Sequence, residues 1–221
     1  MPLSALLLAD GRTPTGGYAH SGGLEAAIGA GLTADDVPAL LRGRLHTVAL
    51  TEAALTAAAV RAAAGDDIAA LLALDDEAAA RCPSPVLRRA ASALGRSLLR
   101  TAAVLWPADL VLPAYRGASA ATPRPVALGV AAAAGGLGPV AAATVALHGD
   151  AATVVSAAVK LLPVDAAAAS AWLAALASEL EQLAEQAARA CAPAELPSAA
   201  APLLDLRSLE HLRHEGRLFA T

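Results

Sequence analysis

Aromatic side chains are nearly missing from this chain: two Trp, two Tyr and one Phe among 221 residues, or 2% of the sequence. A core built on packed rings is therefore excluded, as is a nucleic-acid surface that stacks bases on aromatics. Lysine is scarcer still, Lys160 being the only one. With a net charge of −4, the broad basic face that a phosphate backbone demands is also lacking. Cysteine is limited to Cys82 and Cys191, far apart and in no CxxC or Cys/His spacing, so neither a zinc site nor a disulfide framework is expected. Both read as neutral thiols of a reducing cytoplasm. No basic segment precedes the short apolar run Leu3 to Ala9, so no secretory signal is expected.

Alanine is what fills the space. Hydrophobic residues make up 57% of the chain, and alanine supplies most of them. Alanine has the highest helix propensity and no side-chain rotamers to freeze, whereas strand-forming runs of Val, Ile, Thr and Tyr are scarce here. The composition predicts an all-α fold: a single compact multi-helix domain over residues 1–221, its helices packed closely through small residues.

A mean hydropathy of +0.54 raises the question of a membrane span. Between Pro125 and Leu147 there is no charge, and the length suffices to cross a bilayer. Gly129, Gly135, Gly136, Gly138 and Pro139 interrupt that stretch, and alanine gains little in lipid. Two buried helices joined at Gly135 to Pro139 are expected instead.

Local signals place further helices. Thr33 with Asp36 reads as a capping box ahead of Leu40, Leu41, Leu45 and Val48, and Gly65 is a stop. Ser84-Pro85 reads as a cap followed by proline in the first turn, opening a helix that runs to Trp106-Pro107. The proline-rich stretch 107–125 reads as an irregular connection. From Ala166 to Cys191 one amphipathic helix is expected, capped by Asp165. Trp172, Leu173, Leu176, Leu180, Leu183 and Ala187 lie on its apolar stripe.

The segment Leu6 to Glu25 (LLLADGRTPTGGYAHSGGLE) carries the densest information. Its glycines permit positive φ and close backbone approach, and Ser21 is placed to cap the helix begun by Leu24, Ala27 and Ile28. A helix, a tight loop and a second helix follow. The loop lacks the Lys-Ser or Lys-Thr pair of a phosphate cradle, and Ser21 lacks the GxSxG frame of a hydrolase elbow. Elsewhere no acid, base, nucleophile and metal set is recognisable, so the chain is read as no enzyme, with no catalytic residue and no resident cofactor. His211 and His214, at i,i+3, form at most a weak two-ligand face, and Asp75-Asp76-Glu77 reads as an acidic surface patch.

The arrangement Pro14, Gly16, Gly17, Tyr18, Ser21, Gly23, Leu24 and Glu25 resembles the opening motif of the UreF family of urease accessory proteins. Arg96 within GRSLLR is similar to that family's middle helix, and PVALGVAAAAGGLG from Pro125 to its central segment. Lys160 lies in AAVKLLP, which resembles the stretch the family ends in a proline, and His211 with Arg217, Leu218 and Phe219 matches the carboxy-terminal signature. The matches fall in one order along nearly the whole chain.

The resemblance implies a cytoplasmic, non-enzymatic maturation factor. It would bind the accessory protein UreD (also called UreH) and the GTPase UreG, and help deliver nickel to the urease apoprotein. A homodimer is implied, with no nucleic acid and no membrane among the partners. The glycine-rich loop (10–24) and the tail (207–221) are the expected contact segments. Tyr18, Leu218 and Phe219 would supply apolar anchors, and Arg217 would pair with a partner carboxylate. Arg12 is a candidate arginine finger by type and place alone. Two other classes stand against this reading: a self-sufficient helical enzyme or metal-binding protein, and an alanine-rich membrane helical pair.

Overall fold

In the computed structural model of the chain, the residues described are 2–11, 13, 19–190, 192–199, 201–211, 218 and 219. Among them the regular structure is helical throughout, as the alanine content predicts.

The centre is a pair of helices, α4 (Leu50–Ala64) and α8 (Arg124–Ala134), in extensive contact with each other. Pro125 to Ala132 are all buried, the mark of a helix that is apolar on every side. The two backbones come close because of Gly129. A Cβ there would lie 2.5 Å from the Ala59 Cβ and 2.5 Å from the Thr56 carbonyl oxygen. The Thr56 hydroxyl bridges the seam, donating to the carbonyls of Glu52 (2.9 Å) and Pro125 (3.0 Å). Around this pair pack α9 (Pro139–Leu161) on one side and α6 (Pro85–Leu105) on the other. As the glycines predict, α8 ends at Gly135 and α9 begins at Pro139.

The remaining helices clothe that core. α1 (Leu3–Ala9) lies on α9, and α2 (Leu24–Gly29) on α9 and on α12 (Pro202–His211). The capping box at Thr33 forms, Asp36 accepting from both the backbone N–H and the hydroxyl of Thr33. α3 (Val37–Arg44) then runs into α4 through one wide π turn, Leu45–Ala49. Next come α5 (Ile68–Ala80) and then α6, whose cap Ser84 accepts from the Leu87 N–H as expected.

Three sequence expectations need correction. The stretch 107–125 is not wholly irregular: it holds α7 (Val111–Ala118), started by Asp109 accepting from the Leu112 N–H. Tertiary burial holds it, since Tyr115 is fully enclosed and donates its hydroxyl to Asp75 (2.6 Å). Asp75 is therefore no surface patch residue. It is buried, accepts also from Ser119 (2.5 Å), and only Asp76 of that triplet stays exposed, Glu77 being paired with Arg81. Lastly, the long amphipathic element is two helices, α10 (Ala166–Ala175) and α11 (Ala177–Ala187), separated by a break at Leu176. Its apolar stripe is placed as read: Leu176, Leu180, Leu183 and Ala187 are buried, while Glu181, Gln182, Glu185, Gln186 and Arg189 are exposed.

Two helical stretches, Ala34–Ala64 and Pro139–Leu161, are long and apolar enough to cross a membrane by length and composition. Each is packed into the same core, α4 against α9.

Candidate functional site

The amino-terminal turn is built from two successive glycines in the left-handed region, Gly22 (φ +63°) and Gly23 (φ +83°), a conformation that a Cβ resists. Space excludes side chains there as well. A Cβ on Gly22 would lie 2.9 Å from Val154 Cγ2, and one on Gly23 would lie 2.4 Å from Leu204 Cδ1. The turn is thus pressed between α9 and α12. Ser21 is wholly buried and its hydroxyl accepts the Glu25 N–H at 3.3 Å, satisfying an orphan donor of the first turn of α2. Leu24 is wholly buried too. Both therefore shape this surface from beneath.

A residue that no local pattern marks holds the turn in place. Arg44, at the end of α3, donates from Nη1 to the Gly22 carbonyl (2.7 Å) and through Nε (3.1 Å) and Nη2 to the Asp150 carboxylate of α9. Both side chains of that pair are about nine-tenths buried. A two-pronged guanidinium–carboxylate contact fixes geometry as well as charge. In sequence the only sign was an arginine at the start of an apolar helix run, which is an ordinary surface residue until its distant partner is known.

The carboxy-terminal segment closes the site from the other side. Glu25 accepts the backbone N–H groups of Leu218 (2.7 Å) and Phe219 (3.1 Å). The Phe219 ring is buried, and the Lys160 ammonium sits 5.3 Å from its centroid. Leu218 is left 73% exposed. Phe219 is thus seated in its own chain, and the outward-facing apolar residue of the pair is Leu218. α12 is fastened below by the hydroxyls of Ser84 and Ser208, 2.7 Å apart. Its Leu204 touches the glycine turn, whereas Leu203, Leu206 and Leu209 are 64%, 56% and 42% exposed. That spacing puts three leucines along one open stripe of the helix.

Beneath the turn runs a cleft of about 1340 Å³ whose lining includes His20, Arg44, Glu52, Arg124, His148 and Asp150. Glu52 and Arg124 pair across α4 and α8 at 3.2 Å. Burial, with the positive charge of Arg124 beside it, holds the His20 imidazole below its ordinary pKa. Among the described residues no three His, Cys, Asp or Glu side chains come together as a metal-holding group.

Of the residues singled out from sequence, the fold unites Ser21, Gly23, Leu24, Glu25, Lys160, Leu218 and Phe219 in this one region. Arg96, exposed on α6, stands on the lining of the same cleft. Pro14, Gly16, Gly17, Tyr18, Arg12, Arg217 and His214 lie outside the described residues, as does the side chain of His211.

Relatives of known type match nearly all of this chain. The family model for UreF matches residues 32–177. The urease accessory protein UreF of Mycolicibacterium vanbaalenii is 39% identical over 222 residues, covering 98% of this chain and 97% of its own. That of Methylobacterium radiotolerans is 38% identical over 211 residues, with 93% and 90% covered, and that of Mycobacterium tuberculosis is 34% identical over 221, with 98% and 97% covered. An all-helical protein with these likenesses falls in the class of urease accessory proteins. Within that class, the chain belongs to the UreF family.

Proposed function

We propose that this protein is a scaffold for urease maturation, a non-enzymatic factor that binds UreD (UreH) and recruits or regulates the GTPase UreG while nickel is inserted into the urease apoprotein. Nickel is cargo of the assembly in this reading, not a resident ligand of the chain. The protein works in the cytoplasm as a homodimer.

The observation that carries the reading is the convergence of glycine turn, α12 and tail on one surface. Arg44 and Asp150 fix the turn, Glu25 and Lys160 hold Leu218 and Phe219, and an open leucine stripe lies beside them. A surface fixed in advance loses little conformational entropy on binding, and exposed leucines rimmed by polar groups are what a protein partner covers. UreD is assigned to this surface, with Pro14, Gly16, Gly17, Tyr18, His211 and Arg217 as further contacts from the family motif.

Co-expression with UreD followed by size-exclusion chromatography tests the assignment. The intact chain is expected to co-elute with UreD, and deletion of residues 216–221 or a Leu206→Glu change to weaken that complex while far-UV dichroism stays constant. Unchanged co-elution of both variants would sink it.

A further inference from the structure

The described arginines differ in what they meet. Arg42, Arg44 and Arg124 face carboxylates, Arg81 meets both the Glu77 carboxylate and backbone carbonyls, and Arg61 and Arg88 are spent on backbone carbonyls. Arg89, Arg96 and Arg100, like Arg116 and Arg207, have no hydrogen bond or ion pair among the described residues, and these three are exposed together on α6. Their spacing, with Ala93 and Val104, sets them along one stripe about 22 Å long. The opposite side of the helix, with Gly95, Leu98, Leu99 and Ala102, is buried.

Val104 is what separates this stripe from an ordinary solvated face. It is 80% exposed, and Leu110, just past the end of the helix, is 82% exposed. Arginine is enriched where proteins bind each other, and Val104 and Leu110 add uncovered apolar area beside the three cations. The chain carries more acidic than basic residues, yet among the described residues these three cations stand unmatched side by side on one helix.

We propose that this face of α6 docks an acidic helix of a partner protein, with Arg96 and Arg100 each taking a carboxylate from positions one helical turn apart and Val104 taking an apolar side chain beyond them. The guanidinium fork suits a carboxylate two-pronged. A nucleic acid is disfavoured, since Val104 offers nothing to a phosphate backbone and the described face has no stacking ring. A lipid surface is disfavoured because the apolar side of α6 is already buried and cannot insert. The identity of the partner rests on the maturation role above; the chemistry of the face does not.

The test uses the full chain with purified UreD, UreG and urease apoprotein as the probes, titrated calorimetrically at two salt concentrations. R96E/R100E is expected to lower the affinity for one of the three by at least about tenfold and to flatten its salt dependence, with R96K/R100K falling between. Val104→Glu reads the same face without touching the arginines, and far-UV dichroism confirms that each variant is folded. Wild-type affinity of the folded variants for all three probes overturns the proposal. So does tighter binding of the wild type to random duplex DNA or phosphatidylserine vesicles that the reversal abolishes. If the wild type binds none of the three, the maturation role and this assignment fall together; if it binds them and the variants bind equally, only the α6 face falls.

Discussion

Arg44 and Asp150, 106 residues apart in sequence, form a two-pronged ion pair that also reaches the carbonyl of Gly22. One side chain thereby joins the end of α3, the middle of α9 and the glycine turn. Truncating one partner of a buried pair leaves the other as an uncompensated charge, which costs more than the pair itself contributes.

Arg44→Met is accordingly expected to lower unfolding free energy by about 3 to 5 kcal/mol, read from urea denaturation. Arg44→Met combined with Asp150→Leu is expected to recover much of that loss. A double variant no better than the single one would show that the link to Gly22, not the ion pair, is what matters.

Two glycines are expected to respond with opposite sign. Gly129→Ala drives a methyl into Ala59 and the Thr56 carbonyl and is expected to destabilise by about 1 to 3 kcal/mol, because backbone cannot step aside as a flexible side chain can. Gly43 is exposed within α3 with nothing near its missing Cβ, so Gly43→Ala is expected to stabilise by about 0.5 to 1 kcal/mol. Thermal midpoints of the two variants check both.

Asp75 carries a pH signature. Burial holds its carboxyl above the ordinary value of 3.8, with the Ser119 and Tyr115 hydroxyls pulling the other way. A carboxyl raised by folding contributes its full stabilisation below the unfolded value and loses it as pH rises through the folded value. Asp75→Asn removes that slope. The variant is expected to gain on the wild type as pH is raised from about 4 to about 7, followed by urea midpoints at each pH. Parallel pH profiles would argue that Asp75 titrates alike in both states.

Cys82 is expected to be sluggish. Burial, with the negative charges of Glu52 and Asp205 adding, pushes its thiol up to about 11, and the thiolate is the reactive form. In a Cys191→Ser background, alkylation by iodoacetamide at neutral pH should run well below the rate of a free thiol and climb steadily with pH. Rapid labelling at neutral pH would contradict that environment.

Features written in neighbouring residues were legible before the structure. The box at Thr33 and Asp36, the cap at Ser84-Pro85, the cap at Asp165 and the glycine break before Pro139 each depend on residues within four positions. Helices that depend on distant partners were not. α7 looks like a linker until Tyr115 meets Asp75, forty positions earlier, and nothing local announces the π turn at Leu45–Ala49 or the interruption at Leu176.

The site divides in the same way. Glycine density near Ser21 pointed to a shaped turn, and the two positive φ values there bear it out. The partners of that turn were hidden. Glu25 reaches backbone 194 positions away, and Arg44 was one of fifteen arginines with no local mark. Phe219, read as an anchor for a partner, lies against Lys160 of its own chain, a contact that requires the whole fold to bring together.

The close seam between α4 and α8 has a thermal consequence. Interfaces made of methyl groups and bare α-carbons hide less oil-like surface per residue than interfaces of leucine and phenylalanine, and the heat absorbed as water wets that surface scales with its area. The seam at Gly129 and Ala59 therefore adds less to the heat-capacity increment of unfolding than a leucine seam of the same length would. Its share of the stability accordingly varies less with temperature than that of the leucine-rich parts of the core.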